Sequence, residues 1–235
     1  MDRNIILLDL DGTLLPIDID EFLKGYFHLL SKEFSDIWEA DLFIDSLMKA
    51  TYKMISNTGE NYNMDVFKDT FFKLLEHEEE EAIMNRFENF YRKKFPALEE
   101  GIIVNEQPAQ LINILKEKGY KLVLATNPLF PLIAIEERLR WAKIDPAEFS
   151  LLTSYENMHY CKPNPAYYLE IAEKMRVEPD DCIMIGNDVQ EDMLAADLGM
   201  KTFLVNDYLI NREAEEINVD WQGSFNELIE YFEKN

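Results

Sequence analysis

Two carboxylates follow directly after a short apolar run near the start of the sequence. The run Ile5 to Leu8 is typical of a strand that is buried on both faces, as in the middle of a parallel sheet. Asp9 and Asp11 come next, and since side chains at i and i+2 of a strand point the same way, both carboxylates can converge on one spot. That spot lies beyond the C-terminal edge of the sheet, where open α/β folds place their ligands. The pair is therefore a candidate for catalysis or metal binding.

A simpler interpretation of the same stretch is a turn or a helix cap. Asp11 and Thr13 flank Gly12, which lets the chain turn sharply, and Asp-Gly-Thr by itself would be explained equally well in that way. A buried strand that delivers two carboxylates two residues apart favours the functional interpretation. Two like charges this close repel each other, so a cation beside them would stabilise the pair.

Groups that suit a phosphate follow later in the chain. Thr126 and Asn127 come after a predicted strand and can donate to a phosphoryl oxygen, although Thr-Asn-Pro is also typical of an ordinary strand-to-helix turn. Lys162 lies in a loop stiffened by two prolines, just before a predicted helix. A compact cation and a helix N-terminus both attract anions, whereas a solvated surface lysine is the ordinary alternative.

Acidic residues appear again after the predicted strand Cys182 to Ile185, in the stretch Gly-Asn-Asp-Val-Gln-Glu-Asp. Asp188, together with Asp9 and Asp11, would supply the hard oxygen ligands that suit Mg²⁺. Asp192 follows one helical turn later on the same side, where it could support the site or simply compensate charge at a helix N-terminus.

The order of predicted elements indicates an α/β fold. Strands and helices alternate after residue 108, which predicts a Rossmann-like parallel sheet with helices on both faces. The segment between the first strand and this region has apolar residues at helical spacing and predicts four helices with short connections. We expect residues 1–15 and 96–235 to form the core domain and residues 16–95 to form an inserted all-α cap domain.

The composition excludes several classes of partner. The formal charge of −23 argues against binding to nucleic acid or to an anionic membrane, because neutralising phosphates needs Lys and Arg. The two cysteines have no paired spacing, there is no apolar run long enough to span a membrane, and the N-terminus is no signal peptide. A cytoplasmic protein is therefore expected.

In sequence order, these motifs resemble those of the haloacid dehalogenase (HAD) superfamily of aspartate-nucleophile hydrolases. They are Asp-Leu-Asp-Gly-Thr from Asp9 to Thr13, then Thr126, then Lys162, then Gly-Asn-Asp-x-x-x-Asp from Gly186 to Asp192. The resemblance covers the predicted core, and a helical insertion directly after the first motif resembles the subclass with a helical cap.

The resemblance implies a role for each matching residue. Asp9 would be the nucleophile that attacks phosphorus, and Asp11 would act as general acid and then as general base, with its main-chain carbonyl on Mg²⁺. Thr126 would hold the transferring phosphoryl group, and Lys162 would neutralise charge on the phosphoryl oxygens. The remaining assignments are Asp188 as a metal ligand, Asp192 as an orienting group for Lys162 or metal-bound water, Asn127 as a phosphate-binding residue, and Asn187, Gly12 and Thr13 as supporting residues.

These roles describe a Mg²⁺-dependent phosphatase that acts on a small phosphorylated metabolite. A phosphomutase uses the same motifs and stays open as an alternative. A dehalogenase is disfavoured, because halide leaves without a proton and that branch lacks the acid at Asp11. A receiver-like phospho-accepting domain would carry its phosphorylated Asp on a later strand and no helical insertion, and a non-catalytic binding module would not need a full set of catalytic residue types. The substrate and the oligomeric state cannot be predicted from the sequence.

Overall fold

The computed structural model describes residues 4–214 and 216–235, so residues 1–3 and 215 of the predicted core domain lie outside the described residues. The sheet contains six parallel strands in the order β3-β2-β1-β4-β5-β6. The strands are β1 (Ile5–Leu8), β2 (Lys121–Leu124), β3 (Leu151–Leu152), β4 (Cys182–Gly186), β5 (Lys201–Val205) and β6 (Trp221–Gly223). The predicted α/β class with a parallel sheet is confirmed.

Helices cover both faces of this sheet. Along β1, Ile6 and Leu8 belong to one buried apolar cluster while Ile5 and Leu7 belong to another, as the alternation of side chains on a strand requires. The first cluster includes residues of α5 (Gln107–Glu117), α6 (Leu132–Trp141) and α8 (Phe225–Lys234), and the second includes α7 (Pro165–Met175). Both faces of β1 are therefore buried away from water, which explains its uninterrupted apolar sequence.

Four α-helices lie within residues 16–95, as predicted. They are α1 (Ile19–Glu33), α2 (Ala40–Ile55), α3 (Asn63–Leu75) and α4 (Glu80–Lys93). Their apolar faces meet around a cluster of aromatic rings, among them Phe34, Phe43 and Phe71, all fully buried. The apolar residues at helical spacing are therefore core, while the division of residues 16–95 into a separate cap domain stays a prediction.

Three local features differ from the sequence-based expectation. Strand β6 was not predicted, because Trp-Gln-Gly is not an apolar run and becomes a strand only by pairing with β5. The apolar spacing of Ile37, Ile44 and Leu47 predicts a helix that includes Ile37, but α2 begins at Ala40, so Ile37 precedes it and is partly exposed. Gly199 is typical of the residue that ends a regular helix, but the segment before it is a short 3₁₀ helix, Met193–Leu198. Within the described ranges, no helix is long and apolar enough to cross a membrane.

Candidate active site

The sheet brings the predicted motifs to one edge. Leu8, the last residue of β1, pairs with Leu124 on one side and with Ile185 on the other. The chain order of the strands reverses between β1 and β4, and open α/β sheets bind their ligands in the crevice at such a switch point. Asp9 lies directly at this point, and its N–H donates to the carbonyl of Ile185 at 2.9 Å.

Lys162 lies at the centre of the site. Its Nζ is 2.8 Å from Asp9 Oδ1 and 2.6 Å from Asp192 Oδ1, and only 1% of its side chain is exposed. The surface-lysine alternative is therefore wrong. Lys162 itself follows β3 in the chain. Its ammonium thus connects the segment after β1, through Asp9, with the segment after β4, through Asp192.

Asp192 holds Lys162 from the far side. Its Oδ2 accepts the backbone N–H groups of Asn187 and Asp188, both at 3.0 Å, while Oδ1 binds the lysine. The side chain makes no capping hydrogen bond to the 3₁₀ helix that begins at Met193. The carboxylate therefore anchors the lysine to the end of β4 and does not cap a helix.

Two glycines permit this close approach. A Cβ on Gly186 would lie 2.1 Å from Asp192 Oδ2, so only glycine leaves room for the carboxylate. Gly12 has a φ of +83°, and a Cβ there would lie 2.4 Å from Asn187 Nδ2. Both glycines of the motifs are therefore required by the packing of the site.

Thr13 and Asn187 connect the first and last motifs. Thr13 Oγ1 lies 3.0 Å from Asn187 Oδ1 and 3.4 Å from Asp9 Oδ2, and Asn187 Nδ2 donates to the carbonyl of Tyr208 at 2.6 Å. This arrangement fixes the loop after β1 against the loop after β4.

Thr126 and Asn127 reach the same edge from β2. The carbonyl of Thr126 accepts from Thr153 Oγ1 at 2.7 Å and from the Tyr167 hydroxyl at 2.9 Å, and its own hydroxyl has no hydrogen bond within the described residues. Asn127 Nδ2 donates to the carbonyl of Lys162 at 3.3 Å and to Glu191 Oε2 at 3.1 Å. The hydroxyl of Thr126 is thus available to a ligand, whereas the amide of Asn127 already positions the lysine loop.

The site holds more negative than positive charge. Burial raises the pKa of Asp9 above its ordinary value. The charge of Lys162 opposes this effect without cancelling it, and the charges of Asp11 and Glu191 add to it. Burial and the Asp9 charge, opposed by Lys162, raise the pKa of Asp192 to about 7. Burial disfavours the charged lysine, but Asp192 and Asp9 outweigh this effect and hold the pKa of Lys162 well above its usual value. One buried ammonium therefore serves several carboxylates, and a further cation would stabilise them.

The oxygen atoms at this edge fit a hard divalent cation only in part. Asp9 Oδ2 makes one long contact, and Asp11 Oδ1 is buried without a partner in the described chain. Both oxygens are therefore open to a cation or to a substrate. Asp188 already binds Arg212 at 2.6 Å and the N–H groups of Gln190 and Glu191. No group of three acidic, histidine or cysteine side chains within 4–214 and 216–235 is arranged to hold a metal alone. The donor types suit Mg²⁺, which takes few carboxylates and completes its shell with water and substrate.

Sequence reasoning missed three residues at the site. Arg138 of α6 donates to Asp11 Oδ2 at 2.5 Å, Glu191 binds Asn127, and Arg212 binds Asp188. Arg138 falls at helical spacing from Ile135 and Ala142, both buried, so a charged residue on the apolar face of α6 was the available signal. Arg212 lies in a loop with no comparable pattern.

An apolar cavity of about 190 Å³ lies among the four helices and the loop after β2, with Tyr26, Leu47 and Phe130 in its wall. None of the predicted site residues lines it. The cavity is therefore separate from the polar groups described above.

Known proteins resemble this chain along almost its whole length. Pyrophosphatase PpaX of Bacillus mycoides (strain KBAB4) is 19% identical over 206 residues, covering 88% of this chain and 85% of that protein. A HAD phosphatase from Thermococcus onnurineus has a TM-score of 0.58 at 18% identity, covering 98% of this chain and 97% of that one. CbbY from Rhodobacter sphaeroides, in complex with phosphate, has a TM-score of 0.59 at 20% identity, with 96% of both chains covered.

These structural likenesses are below 25% identity and establish the fold alone. The family assignment comes from a profile of haloacid dehalogenase-like hydrolases, which matches residues 4–197 and so includes every motif described above. Because this match spans far more than half of the 235 residues, the chain belongs to the haloacid dehalogenase-like hydrolase family.

Proposed function

We propose that this protein is a Mg²⁺-dependent phosphatase that hydrolyses a small phosphorylated metabolite through an aspartyl-phosphate on Asp9. The observation that carries the proposal is the buried ammonium of Lys162 between Asp9 and Asp192, at the switch point of the sheet. A cation fixed beside a carboxylate at a ligand-binding edge suits the stabilisation of phosphoryl oxygens. The names of the relatives, a pyrophosphatase and a HAD phosphatase, agree with phosphoryl transfer.

Asp9 has one oxygen that is suited to attack. Oδ1 accepts a hydrogen bond from Lys162, whereas the one hydrogen bond of Oδ2 among the described residues is the 3.4 Å contact with Thr13. In the first step Oδ2 attacks phosphorus, the bond between phosphorus and the leaving oxygen breaks, and that oxygen takes a proton from Asp11. A carboxylate nucleophile needs no base to activate it, so Lys162 and the Thr126 hydroxyl serve to stabilise the phosphoryl oxygens.

Hydrolysis of the aspartyl-phosphate reverses the proton transfer. Asp11, now a carboxylate, removes a proton from water while the water oxygen attacks phosphorus. The bond from phosphorus to Asp9 breaks, phosphate leaves, and the Asp9 carboxylate is regenerated. One group thus acts as acid and then as base, and no proton is left over.

Bound Mg²⁺, held by Asp9, Asp188 and the main-chain carbonyl of Asp11, would offset negative charge on the phosphoryl group. The ion pair between Arg212 and Asp188 must then open, which is feasible because about half of the Arg212 side chain is exposed, 52%. We further propose that residues 16–95 form a cap that excludes water and selects the substrate.

Hydrolysis of 4-nitrophenyl phosphate by the purified protein, with Mg²⁺ or with a chelator, tests the proposal. We expect turnover with Mg²⁺ and its loss in the chelator, restored by excess Mg²⁺. Equal turnover in both conditions would refute the metal dependence. A folded protein that releases no phosphate from this ester but transfers phosphate between positions of a sugar phosphate would be a mutase instead.

A further inference from the structure

Arg138 is a buried cation that the proposed mechanism does not use. Only 1% of its side chain is exposed, and it projects from α6 in the core, towards the loop that follows β1. Its Nη1 donates to Asp11 Oδ2 at 2.5 Å, while Nε and Nη2 have no hydrogen-bond partner within the described residues. The guanidinium lies over the rings of Phe130 at 4.5 Å and Phe22 at 5.8 Å.

Stability alone does not account for this arrangement. A buried ion pair stabilises a fold little, because the cost of removing both charges from water offsets their attraction, and apolar residues of similar volume often do better. The two buried nitrogens without a partner in the described residues, Nε and Nη2, add to that cost. A cation held at this cost beside a carboxylate of the site is typical of a functional constraint.

The contact leaves the two oxygens of Asp11 in different states. Oδ2 accepts from Arg138, whereas Oδ1 is buried and has no partner in the described chain. We propose that Arg138 is a positioning residue that fixes Asp11 through Oδ2, so that Oδ1 is the atom that gives a proton to the leaving oxygen and later takes one from water. The inference rests on the proposed phosphatase function.

This geometry serves both protonation states of Asp11. When Asp11 is the acid, the proton is on Oδ1 and Oδ2 is the carbonyl oxygen, which still accepts from Arg138. When Asp11 is the base, both oxygens are acceptors and the same hydrogen bond persists. A guanidinium does not lose its proton in proteins, so Arg138 cannot replace Asp11 as the acid. It can only hold Asp11 in place.

A substrate with a good leaving group separates this role from a structural one. 4-Nitrophenolate departs without a proton, so phosphorylation of Asp9 by 4-nitrophenyl phosphate does not need Asp11 as an acid. Because the nitrophenolate has not taken the proton of Asp11, that proton passes to solvent, and hydrolysis of the aspartyl-phosphate still needs the Asp11 carboxylate as a base. A loss of positioning therefore slows the second step alone, which lowers kcat and leaves kcat/KM unchanged.

The experiment compares wild type with Arg138→Met and Arg138→Lys, using Arg140→Gln as the matched control. Arg140 lies on the same helix but is half exposed, and its ion pairs within the described residues are with Glu136 and Glu137. Since positioned acid–base groups contribute about 10²- to 10⁴-fold, we expect kcat of Arg138→Met to fall about 10-fold or more. We also expect its kcat/KM to change little and a burst of one nitrophenolate per active site to appear.

Arg138→Lys should lose less activity, because it keeps a cation beside Asp11, and Arg140→Gln should match wild type. If Arg138→Met does not fold, the same comparison is made with Arg138→Lys. Equal losses in kcat and kcat/KM without a burst, or unchanged kinetics in both variants, would overturn the positioning role. Absence of wild-type turnover would instead refute the phosphatase function, and so the two failures can be distinguished.

Discussion

The buried ammonium of Lys162 and the carboxylates of Asp9 and Asp192 stabilise one another's charges. Asp192 accepts a hydrogen bond from the ammonium at 2.6 Å, and two backbone N–H groups donate to Asp192 in turn. Asp192 therefore positions the lysine beside Asp9. The residue types and their spacing were enough to predict that these groups meet. The direction in which Asp192 acts could not be predicted, because four-residue spacing fits both a helix cap and a partner for Lys162.

Replacement of Lys162 by Met should abolish most of the activity. The change removes the cation that offsets charge on Asp9 and on the phosphoryl oxygens, and removal of one such donor typically costs about 10²- to 10³-fold in kcat. Lys174→Met is the matched control, since Lys174 also pairs with a carboxylate, that of Glu170 at 3.2 Å, but its side chain is 30% exposed and Glu170 is not a residue of the candidate site. Steady-state kinetics of both variants measure the effect. Wild-type kcat in a folded Lys162→Met protein would contradict the assigned role.

Helices and strands with a strong apolar period were predicted well, whereas elements that form only through tertiary contacts were not. Helices α1 to α4 and strands β1, β2 and β4 follow from uninterrupted apolar patterns that specify burial on one stripe or on both faces. Strand β6 forms by pairing with β5, and the segment Met193–Leu198 forms a 3₁₀ helix in place of a regular α-helix. Such features are set by tertiary contacts, which a local pattern does not contain.

Helices α1 and α4 are joined by an ion-pair network that predicts pH-dependent stability. Arg86 binds Glu33 at 3.0 Å and Asp36 at 2.7 Å, and Lys94 also binds Glu33. Burial raises the pKa of Glu33, but its hydrogen bonds to Lys94 and Arg86 outweigh this effect and hold the pKa below its ordinary value of 4.5. Because the pKa is lowered in the folded state, the stabilisation is present above pH 4.5 and is lost as the pH falls through the folded value.

Glu33→Gln should therefore lower the free energy of unfolding at neutral pH by about 2 kcal/mol, the usual contribution of hydrogen bonds to charged groups. The difference from wild type should shrink as the pH falls below 4.5. Glu88→Gln breaks an exposed pair with Arg92 and should cost only about 0.5 kcal/mol. Denaturant titrations at several pH values measure these quantities. A Glu33→Gln penalty that is independent of pH would show that the network does not depend on the charge of this carboxylate.

At the scale of the whole molecule, the sheet order explains why distant motifs meet. Strands added on both sides of β1 bring segments more than a hundred residues apart to one edge, and parallel pairing puts all their C-terminal ends together. The sequence predicts this edge because each motif follows an apolar run. It does not predict Arg138, which comes from a helix behind the edge and not from a strand end.

The overall charge of −23 leaves binding of an anionic substrate to local groups. Within the described residues, the site offers the buried lysine and the hydroxyl of Thr126, and the proposed Mg²⁺ would add a further positive charge. The sequence could predict the types of these groups. It could not predict the ion pair between Arg212 and Asp188, because a contact made by a loop leaves no periodic pattern in the sequence.

In the proposed mechanism Asp9 carries the phosphoryl group during turnover, so the decisive measurement is to trap the aspartyl-phosphate. Wild type and Asp9→Asn would be mixed with 4-nitrophenyl phosphate and Mg²⁺, quenched in acid within the first turnovers, and digested for mass spectrometry. We predict an acid-stable, base-labile phosphoryl group on the peptide that contains Asp9 in wild type, and neither this adduct nor turnover in the nearly isosteric Asp9→Asn variant. A phosphoryl group on another residue, or undiminished hydrolysis by Asp9→Asn free of contaminating phosphatase, would contradict the account.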